Sequence, residues 1–294
     1  VLAAVSPAAA KPLRLAATTT DLAAVAREIG GEDVEVVSLA PPHTNSHSVE
    51  AKPSYIVKLI KADAFLQAGL ELEGTWVPLL LQGARNRALM PGGKGHIDAS
   101  EAIEPIEVPK DVSRSGGDVH PGGNPHYMPD PENARRVARH LAEKFAALAP
   151  EKAEAFRARL KTFESRLDET QARWAKTMAP LKGRRFVAYH REWNYFAQRY
   201  GLIQSGELEP KPGIPPTASH TAKLMELMKA EGIRLIVTDV WYEKRTPESI
   251  ARATGAKIAL MALFPGADGS PADYFGWMDD NVGRILKASD DQAR

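Results

Sequence analysis

Hydrophobic positions in the first third of the chain fall into short apolar runs separated by longer stretches of three- and four-residue periodicity. Residues 13–18 (LRLAAT) predict a short strand, residues 33–40 (DVEVVSLA) have the alternating β-branched residues of a second, and 64–69 (AFLQAG) has the length of a buried parallel strand. Between the first two, residues 18–31 predict a helix that ends at a pair of glycines. This order predicts an α/β sheet wrapped by helices.

The next segments predict two more helices and two loops. Residues 55–62 (YIVKLIKA) predict a helix capped by Ser54, and residues 72–84 (LEGTWVPLLLQGA) predict another. The glycine-rich stretches 90–96 (MPGGKGH) and 112–126 predict loops.

Two long helices follow near the middle of the chain. The first begins at Pro131, which tolerates the first helical position, with Asp130 as its cap, and it ends near Leu148. A second helix is predicted from Glu151 to Met178, roughly 40 Å long at about 1.5 Å per residue. A helix of that length suits a strut between two lobes. A coiled-coil partner is the alternative, although the charges beside its apolar stripe are not regular.

A second α/β pattern begins after Pro180. Four strands are predicted, RRFVAYH, LIQSGELEP, IRLIVTDV and AKIALMALF. Each is followed by a predicted helix, in order EWNYFAQRYG, TASHTAKLMELMKAEG, PESIARATG and DYFGWMDDNVGRILKA. The predicted fold is therefore two lobes, each a parallel sheet flanked by helices, joined by one long rigid helix with a cleft between them. The predicted division is a terminal segment 1–11, a first lobe 12–149, the linking helix 150–179 and a second lobe 180–294.

Composition excludes some classes of partner and some kinds of metal site. The 294 residues suit two domains, and 38 basic against 37 acidic residues give a net charge of +1, which argues against nucleic acid as a partner. With no cysteine, any metal site must use nitrogen and oxygen, and a lipid-anchoring cysteine is absent from this sequence. The opening VLAAVSPAAA resembles the end of a secretory signal, so we expect export. We also expect a soluble mature protein, because no later run is long and apolar enough for a membrane span.

Three histidines are candidate metal ligands. His47 follows a predicted strand, His190 ends one, and His126 lies in a proline-flanked loop before a helix. Functional loops of α/β sheets gather at the carboxyl ends of strands, and three imidazoles with one further group satisfy tetrahedral zinc. Their spacing has no local signature, so surface or capping histidines remain the alternative at this point.

The residues around these histidines resemble a known family. HSVEAKPSYIVKLIKADAFLQAGLELEGTW begins at His47, NPHYMPDPENA surrounds His126, and HREWNYFAQRYGL begins at His190. These segments are similar to motifs of the zinc- and manganese-specific solute-binding proteins of ABC importers, the metal-binding cluster with a rigid linking helix. The resemblance runs from about residue 13 to residue 288, and the second and third segments are the most specific.

The resemblance implies a periplasmic protein that binds Zn²⁺ through His47, His126 and His190 and delivers it to an inner-membrane ABC permease. It implies no catalysis, a monomer, and a periplasmic metallochaperone as a further possible partner. Family members usually carry an aspartate after the last strand, where this chain has MALFPGADG. For the fourth ligand we favour Glu209, which ends a strand beside the one carrying His190. Asp239, Asp268 and water are the alternatives.

Histidine at the third position favours zinc, because manganese prefers oxygen ligands, and manganese-carrying members tend to have glutamate there. Manganese or another divalent metal is the alternative cargo. His120, with Asp118 nearby, and His43 are candidates for assisting capture. Two rival functions remain: a zinc hydrolase, which needs a general base and a substrate pocket, and a metal-dependent surface adhesin or chaperone.

Overall fold

The first lobe is built on a four-stranded parallel sheet. The computed structural model describes residues 11–110, 120–211 and 213–290, so the predicted signal remnant and Asp118 lie outside the described residues. The strands are β1 (Leu13–Ala17), β2 (Val34–Ser38), β3 (Ala64–Gln67) and β4 (His96–Asp98), in the order β2-β1-β3-β4. The sequence predicted the first three. The short β4 was predicted as the end of a glycine-rich loop, but it pairs with β3 at the sheet edge.

Four helices accompany this sheet: α1 (Thr20–Gly30), α2 (Pro53–Lys61), α3 (Val77–Ala84) and α4 (Pro131–Leu148). The predicted start of α4 is correct, since the Asp130 side chain accepts from the backbone N–H of Glu132 at 2.9 Å. The predicted cap of α2 is wrong. Lys52 occupies that position, because Pro53 has the fixed φ of a first helical residue and needs no hydrogen-bond acceptor.

The second lobe repeats the strand order of the first. Its strands are β5 (Arg185–Ala188), β6 (Ile203–Glu207), β7 (Leu235–Asp239) and β8 (Lys257–Met261), all parallel in the order β6-β5-β7-β8. In both sheets the second strand lies outside the first, and the third and fourth follow on the other side. The remaining helices of this lobe are α6 (Asn194–Tyr200), α7 (Ala218–Ala230), α8 (Arg245–Thr254) and α9 (Tyr274–Asp290).

The long helix α5 (Ala153–Met178) has 26 residues, about 39 Å at 1.5 Å per residue. It begins two residues later than predicted because Pro150–Lys152 form a 3₁₀ turn. The predicted apolar stripe is buried within this chain against α1, α4 and α9, which takes the place of a coiled-coil partner. The buried stripe consists of Phe156, Phe163, Leu167, Trp174 and Met178.

One hydrophobic core continues through both lobes. A single cluster of buried side chains includes Leu15 of β1, Leu141 of α4, Leu167 of α5, Val237 of β7 and Trp277 of α9. The molecule is therefore a two-lobe α/β protein whose lobes share a packed interior. The exact division at residues 149 and 179 stays a prediction.

Candidate metal centre

The three predicted histidines meet in the cleft between the lobes. One ring nitrogen from each of His47, His126 and His190 lies within 4.8 Å of the others. His47 Nε2 lies 3.1 Å from His126 Nε2, and the ring centroids are 5.0 to 5.5 Å apart. Two nitrogens bound to one tetrahedral zinc lie roughly 3.4 Å apart, given Zn–N bonds of about 2.0–2.1 Å. The rings are thus spaced as three ligands of one ion.

Two of these histidines are held by the same local device. The backbone N–H of His47 donates to Asn45 Oδ1 at 2.9 Å, and that of His126 donates to Asn124 Oδ1, also at 2.9 Å. In each case the asparagine stands two residues earlier and its side chain closes an Asx turn. The pattern Asn-x-His is visible in the sequence, but the sequence analysis did not single it out.

Further hydrogen bonds fix the two loops to their surroundings. Thr75 Oγ1 donates to the His47 carbonyl at 2.6 Å, and Trp76 Nε1 donates to the Ser46 carbonyl at 2.9 Å. Asn124 Nδ2 donates to the carbonyl of Arg191, in the second lobe, at 2.8 Å. The loop of His126 is therefore bonded to the segment that follows His190.

His190 projects from the carboxyl end of β5 and is oriented by Glu209. Glu209 Oε2 lies 2.8 Å from His190 Nδ1, and both side chains are less than a tenth exposed. The same oxygen accepts from the backbone N–H of Gly213 at 3.0 Å. A carboxylate on Nδ1 selects the tautomer with the proton there and leaves Nε2 free to bind a metal. In this geometry Glu209 contacts His190. Its predicted role as a direct ligand stays a prediction.

Burial sets the protonation of the site. His126 and His190 are 5% and 6% exposed, and His47 is partly exposed. Burial, and then the nearby histidines, hold the pKa values of His47 and His126 well below the usual range. Both rings are therefore neutral at neutral pH, which is the form that binds metal.

The other candidate acids have partners of their own. Asp239 accepts from the backbone N–H groups of Val240 and Leu263, and burial raises its pKa to about 8. Asp268 forms an ion pair with Arg284 at 2.9 Å. Neither carboxylate belongs to the group of possible ligand atoms, one from each of the three histidines, that lie within 4.8 Å of one another. A role for either as the fourth ligand stays a prediction.

The remaining histidines differ in their distance from the centre. The ring of His120 lies 5.0 Å from that of His47, centroid to centroid. His43 is exposed on the loop that precedes His47. His220 Nε2 lies 2.8 Å from the Glu207 carbonyl, and His140 lies 3.6 Å from Glu101. Trp193, Tyr195 and Phe196, which follow His190 along the chain, are buried.

The comparison with protein families agrees with this centre. Residues 15–288 match the family of ZnuA, described as zinc-uptake complex component A, periplasmic. The chain belongs to this family. Its fold and its histidine motifs are therefore those of a metal-specific solute-binding protein of ABC importers, as the sequence indicated.

Proteins of similar sequence extend the comparison. Zinc-binding protein AdcA of Streptococcus pyogenes serotype M1 is 26% identical over 275 residues, which is 88% of this chain and 53% of AdcA. The chain thus spans about half the length of the curated relatives that it matches first. A putative metal-binding protein of Treponema pallidum is 21% identical over 286 residues, 95% of this chain and 88% of that protein.

Solved structures share the fold. A crystal structure of ZnuA superposes with a TM-score of 0.78 at 23% identity, covering 95% of this chain and 99% of that one. The solute-binding protein FpvC of Pseudomonas aeruginosa, in complex with Mn²⁺, gives 0.77 at 21% identity, covering 96% and 100%. Within the described residues, no helix is both long enough and apolar enough to cross a membrane.

Proposed function

We propose that this protein captures Zn²⁺ in the periplasm and delivers it to the permease of an ABC importer. The observation that carries the proposal is the meeting of His47, His126 and His190, two from the first lobe and one from the second, around one point in the cleft. A site between lobes can be opened or blocked by a docked partner without unfolding either lobe. The family match and the zinc-binding AdcA relatives support the same function.

The donor set favours zinc as the cargo. Three neutral imidazole nitrogens suit Zn²⁺, while Mn²⁺ prefers carboxylate and water oxygens. Manganese or another divalent metal remains the alternative cargo, and Ni²⁺ and Cu²⁺ would compete with zinc in vitro because nitrogen ligands bind them tightly. Zinc is here the transported substrate, held at equilibrium and released.

The protein is proposed to bind without catalysis. The carboxylate of Glu209 is the acid beside the centre that a general base would require, and it is engaged by His190 and by Gly213. In this proposal the role of Glu209 is to orient the His190 ring. A direct bond from Glu209 to zinc would require the carboxylate to leave Nδ1. A metallochaperone as donor of the zinc and a monomeric state belong to the same proposal.

The test is the zinc affinity of His47→Ala, His126→Ala and His190→Ala, measured by competition with a chromophoric chelator. Each variant removes one ligand, so each should bind zinc at least about tenfold more weakly. A loss of that size follows even when only a residue that hydrogen bonds to a ligand is removed. His43→Ala, which removes an exposed imidazole from the same loop as His47, is the matched control and should bind normally. Circular dichroism establishes that the variants are folded.

Wild-type affinity in any one of the three variants would exclude that histidine from the site. A preference for Mn²⁺ over Zn²⁺ in the unmodified protein would overturn the choice of cargo.

A further inference from the structure

We propose that Glu73 is a positioning residue of the metal centre, which holds the loops of His47 and His126 in place through the segment 68–76. This inference rests on the proposed function, because its effect is on zinc binding at the same centre. Glu73 lies between β3 and α3 and is 3% exposed. It does not belong to the group of possible ligand atoms that lie close together, so it acts on zinc only through other residues.

Three donors hold the Glu73 carboxylate. Thr18 Oγ1 donates to Oε1 at 2.6 Å, and the backbone N–H of Ala68 donates to the same oxygen at 2.7 Å. The N–H of Gly69 donates to Oε2 at 3.2 Å. Thr18 follows β1 and Ala68 follows β3, the two strands between which the order of the sheet reverses. Sheets of this kind commonly bind ligands at that position, and here a carboxylate of the chain itself occupies it.

The first connection runs from Glu73 to the loop of His47. The Glu73 carbonyl accepts from the backbone N–H of Trp76 at 3.1 Å, which fixes the turn before α3. From this turn, Thr75 Oγ1 donates to the His47 carbonyl at 2.6 Å, and Trp76 Nε1 donates to the Ser46 carbonyl at 2.9 Å. A shift of Glu73 would therefore move both donors that hold this loop.

The second connection runs from Glu73 to the loop of His126. Tyr127, the next residue in the chain, donates its hydroxyl to the Ala68 carbonyl at 2.6 Å. Tyr127 and Ala68 are both buried. Ala68 is thus held through its N–H by Glu73 and through its carbonyl by Tyr127. The carboxylate that fixes Ala68 also fixes the acceptor on which the Tyr127 side chain depends.

The backbone between these two connections is strained. Leu70 has φ +51° and Glu71 has φ +64°, in the left-handed region that side chains other than glycine rarely adopt. Such conformations persist only where surrounding contacts hold them. The bonds from the N–H groups of Ala68 and Gly69 to Glu73 hold the residues just before this turn. Without the carboxylate the turn can relax, and both histidine loops lose their support.

The test is the zinc affinity of Glu73 variants, measured by chelator competition at about pH 8. The carboxylate is ionised there, because burial raises its pKa only to about 7. Glu73→Leu removes every acceptor and keeps a side chain of similar size, so affinity should fall about tenfold or more. Glu73→Gln keeps one carbonyl oxygen for Thr18 and Ala68, so its loss should be smaller.

Leu141→Ala is the matched control for lost stability. Leu141 is fully buried in the same lobe, about three turns into α4. Its truncation lowers the free energy of unfolding but leaves the segment 68–76 in place, so zinc affinity should stay at the wild-type value. Urea denaturation of the zinc-free proteins shows that the Glu73 variants and this control are compared at known stability.

Two double-mutant cycles test whether Glu73 acts through the two connections. Thr75→Val removes the hydroxyl that contacts the His47 loop, and Tyr127→Phe removes the one that contacts Ala68. When Glu73→Gln is combined with either change, the loss of zinc affinity should be smaller than the product of the two single losses, because both changes break one chain of contacts. A role in stability alone would give the full product.

The outcomes separate this inference from the proposed function. Folded Glu73→Leu and Glu73→Gln with the affinity of Leu141→Ala would overturn the role of Glu73, and so would the full product in both cycles. If Glu73→Leu does not fold, Glu73→Gln and the cycles decide. A wild-type protein that does not bind zinc through the three histidines would overturn the proposed function itself.

Discussion

Single residues determine how each imidazole is oriented in the centre, and two kinds of support are present. Asn45 and Asn124 fix the backbone of the histidine that stands two residues later. Glu209 acts instead on the ring of His190, through Nδ1. Ring orientation and tautomer affect metal affinity directly, because a ligand that must rotate or exchange its proton loses binding free energy.

The role of Glu209 leads to a prediction with two variants. Glu209→Ala leaves Nδ1 of His190 without its acceptor, so zinc affinity should fall about 10- to 100-fold. Glu209→Gln keeps a carbonyl oxygen that accepts from Nδ1–H, so most of the affinity should remain. Chelator competition measures both. An equal and large loss in the two variants would instead indicate a direct bond from the Glu209 carboxylate to zinc, since an amide oxygen is a poor substitute for it.

At the scale of elements, α5 joins the two lobes by packing and by charged contacts. Its Arg159 donates to the Gly30 carbonyl at the end of α1 and to Asp33, at 2.8 and 2.7 Å. Near its other end, Arg173 contacts Asp279 of α9. Between these points the side chain of Leu167 is fully buried, whereas Leu160 is only partly buried.

This difference predicts unequal effects of truncation. Leu167→Ala removes a side chain from a filled core and should lower the free energy of unfolding by about 2–5 kcal/mol. Leu160→Ala, about two turns away on the same helix, should cost less because its site is partly open to solvent. Urea denaturation of the zinc-free proteins gives both values, and zinc affinity under folding conditions should not change. Equal losses in the two variants would contradict the contrast in burial.

The elements that the sequence predicted and those it missed differ in the strength of their local signals. The helix α4 has a capping aspartate, a first-position proline and 18 residues, about five turns, of regular periodicity, and its bounds match the prediction. The strand β4 has three residues after a run of glycines, and it becomes a strand only because β3 lies beside it. Ser54 and Pro53 both suit a helix start, and the rule that begins α4 at Pro131 also begins α2 at Pro53, which leaves Ser54 inside the helix.

The metal centre, too, could be predicted only where its residues stand in strong local motifs. His47, His126 and His190 stand in recognisable motifs, so their meeting could be predicted through the resemblance. The contact between Glu209 and His190 depends on the pairing of β5 with β6, which brings the ends of these strands together. Strand adjacency indicated the neighbourhood correctly. Which atom the carboxylate meets depends on side-chain geometry that no local pattern encodes.

At the scale of the whole molecule, several contacts cross between the lobes around the metal centre. Arg199 of α6 binds both carboxylate oxygens of Asp130, at 2.7 and 2.9 Å. Tyr195 donates to the Asn124 carbonyl at 2.9 Å, and Tyr274 donates to the Met128 carbonyl. These bonds add to the core cluster that continues through both lobes. Separating the lobes would expose part of that core, so large hinge opening is costly.

We therefore expect zinc to enter and leave with little movement of one lobe against the other. The chain has no cysteine, so Leu79→Cys in the first lobe and Ile203→Cys in the second, both exposed, allow two spin labels to be placed specifically. The mean distance between the labels should change by less than about 2 Å when zinc is added, because larger shifts accompany the loop and domain rearrangements that preorganised proteins do not undergo. The same labelled protein carrying His126→Ala controls for effects of zinc away from the site. A shift of many ångströms, absent in that control, would mean that the lobes close on the ion by a hinge and that the shared core opens during release.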